Sequence, residues 1–72
     1  DPKTRLQEYC QANAMELPVY NLDKVTGNSP DQVFYVSIEH KSSSIKENAS
    51  GNSRKIAEQI SADKLLKIME NK

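Results

Sequence analysis

Apolar positions recur along this chain with two different periods, and the changes of period divide it into five elements. From Lys3 to about Asn13, Leu6, Tyr9 and Cys10 fall at i, i+3 and i+4 and share one helix face, while Thr4, Gln7, Glu8 and Gln11 lie on the other. Asp1 is a good cap for that helix and Pro2 suits its first position. Leu17-Pro18 ends it, and Val19 to Thr26 reads as a strand. Gly27-Asn28-Ser29-Pro30-Asp31 is dense in turn residues. Gln32 to His40 then alternates strictly, with Phe34, Val36, Ile38 and His40 on one face. After the polar turn Lys41-Ser42-Ser43, a weaker strand runs from Ser44 to Ala49.

Ser50-Gly51-Asn52-Ser53 breaks the alternation, and Ser53 is a suitable N-cap for a helix beginning at the next residue. Arg54 to Glu70 contains neither Gly nor Pro and reads as one long helix. Its expected buried stripe is Ala57, Ile60, Ser61, Leu65 and Ile68, flanked by Ala62, Leu66 and Met69. The predicted fold is α+β, in the order α-β-β-β-α. Consecutive strands joined by short turns give a three-stranded antiparallel sheet, with both helices packed on one face.

The chain has 72 residues, enough for one domain spanning 1–72 and too few for two. With 36% hydrophobic and 28% charged residues, its core is thin and its solvated surface large. No apolar run approaches the roughly 20 residues of a membrane span. The chain begins Asp1-Pro2-Lys3-Thr4, without an initiator Met or an apolar leader, and is expected to be a piece of a longer protein. Its one cysteine, Cys10, fits a reducing compartment and hence a cytoplasmic location.

Reactive constellations are scarce. Cys10 and His40 are the only thiol and imidazole, and Cys10 on the apolar helix face is expected to be a core residue. There is no zinc ligand set, and two glycines, Gly27 and Gly51, cannot build a phosphate loop. No cofactor is expected in this chain. Binding is the better question. Net charge is zero, yet Lys41, Lys46, Arg54 and Lys55 face only Glu47 between His40 and Lys55, while Glu16, Asp23, Asp31 and Glu39 lie earlier. Arg54 and Lys55 open the last helix, where cations oppose the helix dipole. A bound phosphate would reconcile that conflict.

Taken in order, four segments resemble one family. Lys3-Thr4-Arg5-Leu6-Gln7-Glu8, Pro18-Val19-Tyr20, Phe34-x-Val36-x-Ile38 and Gly51-Asn52-Ser53-Arg54-Lys55-Ile56-Ala57-Glu58-Gln59 are similar to the double-stranded-RNA-binding domain of ribonuclease III. The resemblance covers essentially the whole chain and implies the same α-β-β-β-α fold. It implies that Thr4, Gln7 and Glu8 meet 2′-hydroxyls and base edges in one minor groove. It places Gly27, Asn28, Ser29 and Pro30 in the next minor groove, and Asn52, Ser53, Arg54 and Lys55 on phosphates across the major groove between them. The implied partner is double-stranded RNA. The implied parent is a homodimeric endonuclease whose Mg2+ sits in a nuclease domain outside this chain.

Departures from the family pattern point toward weaker binding. Pro30 stands where the family loop carries His, Asp31 adds a negative charge there, and Ala49 replaces a Gly before the last helix. Glu58 occupies the place where many relatives carry a third basic residue. A protein-interaction or dimerisation module of the same fold is the competing expectation.

Overall fold

Asp1 opens the first helix by accepting, through Oδ1, the backbone N–H of Thr4 at 2.8 Å. In the computed structural model, which describes residues 1–71, that helix is α1 (Pro2–Ala12). After it come β1 (Val19–Thr26), β2 (Val33–His40), a single 3-10 turn over Lys41–Ser43, β3 (Ile45–Gly51) and α2 (Arg54–Glu70). α1 ends where Asn13 returns its side-chain amide to the Tyr9 carbonyl at 2.8 Å and Ala14 turns left-handed at φ 53°. Ser53 caps α2, its hydroxyl accepting from Ile56 N at 3.1 Å.

The sheet has the order β1-β2-β3 and is antiparallel throughout. Val19 pairs with Glu39 and Thr26 with Val33, while Phe34 pairs with Gly51 and His40 with Ile45. The hairpin tip and the start of α2 therefore lie at the same end of the sheet. A bulge between Leu22 and Lys24 leaves Asp23 outside the pairing. Its Oδ1 accepts from Ser37 Oγ at 3.2 Å, which covers Ser37 on the face away from the helices.

Two strand ends differ from the sequence reading. β2 begins at Val33 rather than Gln32. β3 begins after Ser44, which turns left-handed at φ 58°, and continues past Ala49 because Ser50 and Gly51 pair with Tyr35 and Phe34. Gly51 has a packing reason. A Cβ there would stand 2.7 Å from Ile56 Cγ2 and 3.1 Å from Ala57 N, so the strand passes the foot of α2 at glycine distance.

α2 lies over β2 and β3, and α1 lies along α2. Leu6 and Cys10 of α1 share one buried cluster with Ile38, Ala62, Leu65, Leu66 and Met69. Val36, Ala49 and Ala57 form a smaller one. The buried face of α2 is Ala57, Glu58, Ser61, Ala62, Leu65, Leu66 and Met69, turned from the expected stripe. Ile60 points nearly opposite its centre and is 40% exposed, and Ile68 is only half-buried. The small side chains at 57, 61 and 62 let α1 and the sheet approach α2 closely, and that fixes which way it faces.

His40 is buried at the end of β2 and serves the fold. Its Nε2 lies 3.0 Å from the Glu16 carbonyl and its Nδ1 2.7 Å from Ser43 Oγ. A carbonyl only accepts, so Nε2 donates there and ties the α1–β1 connection to the end of β2. Both ring nitrogens are thus engaged away from Cys10, whose thiol is pushed up by burial. The pair is not arranged as nucleophile and base.

Candidate nucleic-acid interface

The two helix starts differ in what they leave open. At α1, Pro2 has no N–H, the Lys3 N–H donates to Gln59 Oε1 at 3.0 Å, and the Thr4 N–H is capped by Asp1. At α2, the cap takes the Ile56 N–H, and the N–H groups of Arg54 and Lys55 have no hydrogen-bond partner among the described residues. The positive end of a helix dipole is thus open at α2 and closed at α1.

Thr4, Gln7 and Lys55 come together. With Lys3, Leu17, Pro18, Tyr20 and Gln59 they line an open cleft of about 470 Å³ between α1, the start of β1 and the start of α2. Glu8 is exposed on α1 but does not line it. Gly27, Asn28, Ser29 and Pro30 are exposed at the β1–β2 tip, apart from the cleft. Asp31 N closes that turn onto the Asn28 carbonyl at 2.7 Å, and Gly27 adopts φ 78°. A Cβ on Gly27 would meet the Asp31 carbonyl oxygen at 2.7 Å, so both conformation and space demand glycine. Asn52 is exposed beside the cap, and the Ser53 hydroxyl is engaged as the cap itself.

The basic pair is not symmetrical. Lys55 is exposed and carries no ion pair among the described residues. Arg54 donates from Nε to Glu58 Oε2 at 3.0 Å, one helical turn on. The other oxygen of Glu58 accepts from Lys3 Nζ at 2.8 Å, across to α1. Lys3 Nζ also stands 4.8 Å over the Tyr20 ring. Sequence reading gave Lys3, Tyr20 and Gln59 no role beyond the family-like segments that contain them, and took Glu58 only as the place of a missing third cation. Arg54–Glu58 was legible as an i,i+4 pair. Lys3–Glu58 was not, because 55 positions separate the partners.

Burial pushes the Glu58 carboxyl up, but hydrogen bonds from Lys3 and Arg54, and then their charges, outweigh it and hold the group below the usual carboxylate range. The folded chain therefore releases this proton more readily than the unfolded chain. The stabilisation is complete above the unfolded pKa and is lost as pH falls through the folded one. Thermal melts should accordingly show the contribution fading below about pH 4. Glu58→Gln should flatten that acid limb, and an unchanged limb would rule the account out. Tyr20 is pushed up to about 12, by burial first and then by the charges of Glu58 and Cys10.

The sequence model of a family described as "Double-stranded RNA binding motif" matches residues 2–69. The chain belongs to that family. It is 42% identical over 72 residues to ribonuclease 3 of Alkalilimnicola ehrlichii and 43% identical over 72 residues to that of Pasteurella multocida. Both matches take in 100% of this chain and 32% of the relative. The ribonuclease 3 of Marinomonas sp. is 44% identical over 72 residues. The chain thus spans about a third of the length of the curated relatives it matches. The α-β-β-β-α order and the antiparallel sheet expected from the sequence are the architecture found for this double-stranded RNA binding motif.

No group of three or more His, Cys, Asp or Glu is placed to hold a metal ion among the described residues. Glu58 and Asp63 are taken up by cations. No described helix is long and apolar enough to cross a membrane.

Proposed function

We propose that this domain binds double-stranded RNA through three surfaces and presents it to the nuclease part of a ribonuclease III, of which it would be the C-terminal portion. The observation that carries the reading is the gathering of Thr4, Gln7 and Lys55 around one cleft beside the open start of α2, in a chain of this family. Thr4, Gln7 and Glu8 would meet the shallow minor groove of A-form RNA, where 2′-hydroxyls donate and accept. Glu8 can accept from a 2′-hydroxyl, which DNA lacks. Gly27 to Pro30 would meet the next minor groove, through backbone groups rather than an imidazole. Asn52, Ser53, Arg54 and Lys55 would reach phosphates across the major groove, with Ser53 contributing through the helix start it caps.

In this reading the parent enzyme is a cytoplasmic homodimer acting on structured RNA. Its dimer contact and its Mg2+ would belong to the nuclease part. Titration against duplex RNA, single-stranded RNA and duplex DNA of one sequence tests the binding claim. Duplex RNA should bind best, and its affinity should fall steeply with salt as counterions are released. Equal affinity for duplex DNA would overturn recognition through 2′-hydroxyls. Self-association without RNA binding would point instead to an interaction module.

A further inference from the structure

We propose that Glu58 is a positioning residue for phosphate contact: by holding Lys3 and Arg54 together it fixes α1 against the start of α2 and aims Arg54 outward. The inference rests on the duplex-RNA reading and adds a role to a residue whose negative charge otherwise opposes that reading. The Glu58 side chain is 12% exposed, whereas those of Lys3 and Arg54 are 39% and 52% exposed. The carboxylate is therefore the buried hub, and the cations reach outward from it.

The atoms used matter. Glu58 takes Arg54 by Nε, the inner nitrogen of the guanidinium, at 3.0 Å. Neither terminal nitrogen has a partner among the described residues, and together they form the planar fork that matches phosphate oxygens. The hold on Nε removes side-chain freedom that Arg54 would otherwise lose on binding. Lys3 is restrained twice, by Glu58 at 2.8 Å and by the Tyr20 ring at 4.8 Å, so it acts as a strut between helices rather than a phosphate ligand. The Lys3 backbone N–H on Gln59 Oε1 is a second tie between the same two helices. A third cation at position 58 would add charge but would remove the carboxylate that holds Arg54 and Lys3. This domain has taken the opposite course: Lys3, Arg54 and Glu58 together carry one net positive charge, in a fixed arrangement.

The test is a set of binding isotherms against one duplex RNA over a salt series, for the unsubstituted domain, Glu58→Gln, Arg54→Ala and the double substitution. Glu58→Gln should weaken binding roughly tenfold and reduce the salt slope by about one, matching Arg54→Ala. The double substitution should bind no more weakly than either alone, since both remove the same contact. Tighter binding, or a slope as steep as before, would show that Glu58 merely restrains charge, and the proposal falls. Weaker binding with an unchanged slope would assign Glu58 to the fold alone, and the proposal falls again. Arg54→Lys serves if Glu58→Gln does not fold. It keeps the charge but has no outward fork once tied to Glu58, so its slope should also fall by about one, and an unchanged slope refutes the aiming role. Absence of duplex binding by the unsubstituted domain would overturn the functional reading and this inference together. Binding with an unaltered Glu58→Gln slope overturns the inference alone.

Discussion

Ile38→Ala should remove about 3 kcal/mol of stability, and Ile60→Ala should remove less than about 1 kcal/mol. Ile38 is completely buried in the central strand, packed among Leu6, Cys10, Leu65 and Met69. Truncation there loses the transfer energy of the removed carbons and leaves a cavity that three elements would have to collapse together. Ile60 is 40% exposed, so truncation leaves no cavity. A domain of this size has roughly 4–10 kcal/mol in total, so the first change consumes a large share. In thermal melts, Ile38→Ala should lower Tm by roughly 12–24 °C, against a few degrees for Ile60→Ala. Equal losses at the two positions would mean that α2 does not turn Ile60 to solvent.

That pair also shows where the sequence was informative. The helix starts and the first turn were legible because local chemistry sets them: the Asp1 carboxylate and the Ser53 hydroxyl each find an N–H three residues on, and Gly27 supplies a positive φ. The face of α2 was only partly legible. A stripe containing Ile60, Leu65, Leu66, Ile68 and Met69 is apolar over too wide an arc to fix one direction, and the choice is made by Ala57, Ser61 and Ala62 admitting neighbours. The extension of β3 to Gly51 was not legible, because Ser50 and Gly51 have poor strand propensity and are held by pairing to Tyr35 and Phe34.

The candidate interface divides in the same way. The three proposed binding regions were readable as motifs, and the structure leaves all of their residues exposed but Ser53, which is half-buried as the cap of α2. Their grouping was not readable. Thr4 and Gln7 come beside Lys55 only because α1 is tied to α2 through Lys3, Gln59 and Glu58, residues far apart in sequence. The asymmetry of Arg54 and Lys55 is likewise tertiary in origin. Two neighbouring cations look equivalent in sequence, yet one is anchored by a buried carboxylate and the other is free of ion pairs among the described residues.

Lys55→Ala is therefore expected to separate binding from stability. The side chain lines the cleft, sits in the first turn of α2 and has no carboxylate partner among the described residues. In the free domain its charge opposes the helix dipole, at a cost of about 0.3–1 kcal/mol. Its removal should leave Tm unchanged or raise it by a few degrees. In the complex the same charge would meet a phosphate, and a charge-assisted contact there contributes about 1.5–3 kcal/mol. Affinity for duplex RNA should accordingly fall roughly tenfold or more, equally for different sequences, with the salt slope reduced by about one. Arg54→Ala should behave differently. It also loosens Glu58, which would retain only Lys3, so affinity and Tm should fall together. Calorimetric melts and salt-series titrations on the two variants read both quantities. A Lys55→Ala domain that binds duplex RNA as tightly as its parent at low salt would remove Lys55 from the interface. A Lys55→Ala domain that melts several degrees lower would show that the lysine has a structural partner, and that the conflict at the start of α2 is settled within the fold rather than by RNA.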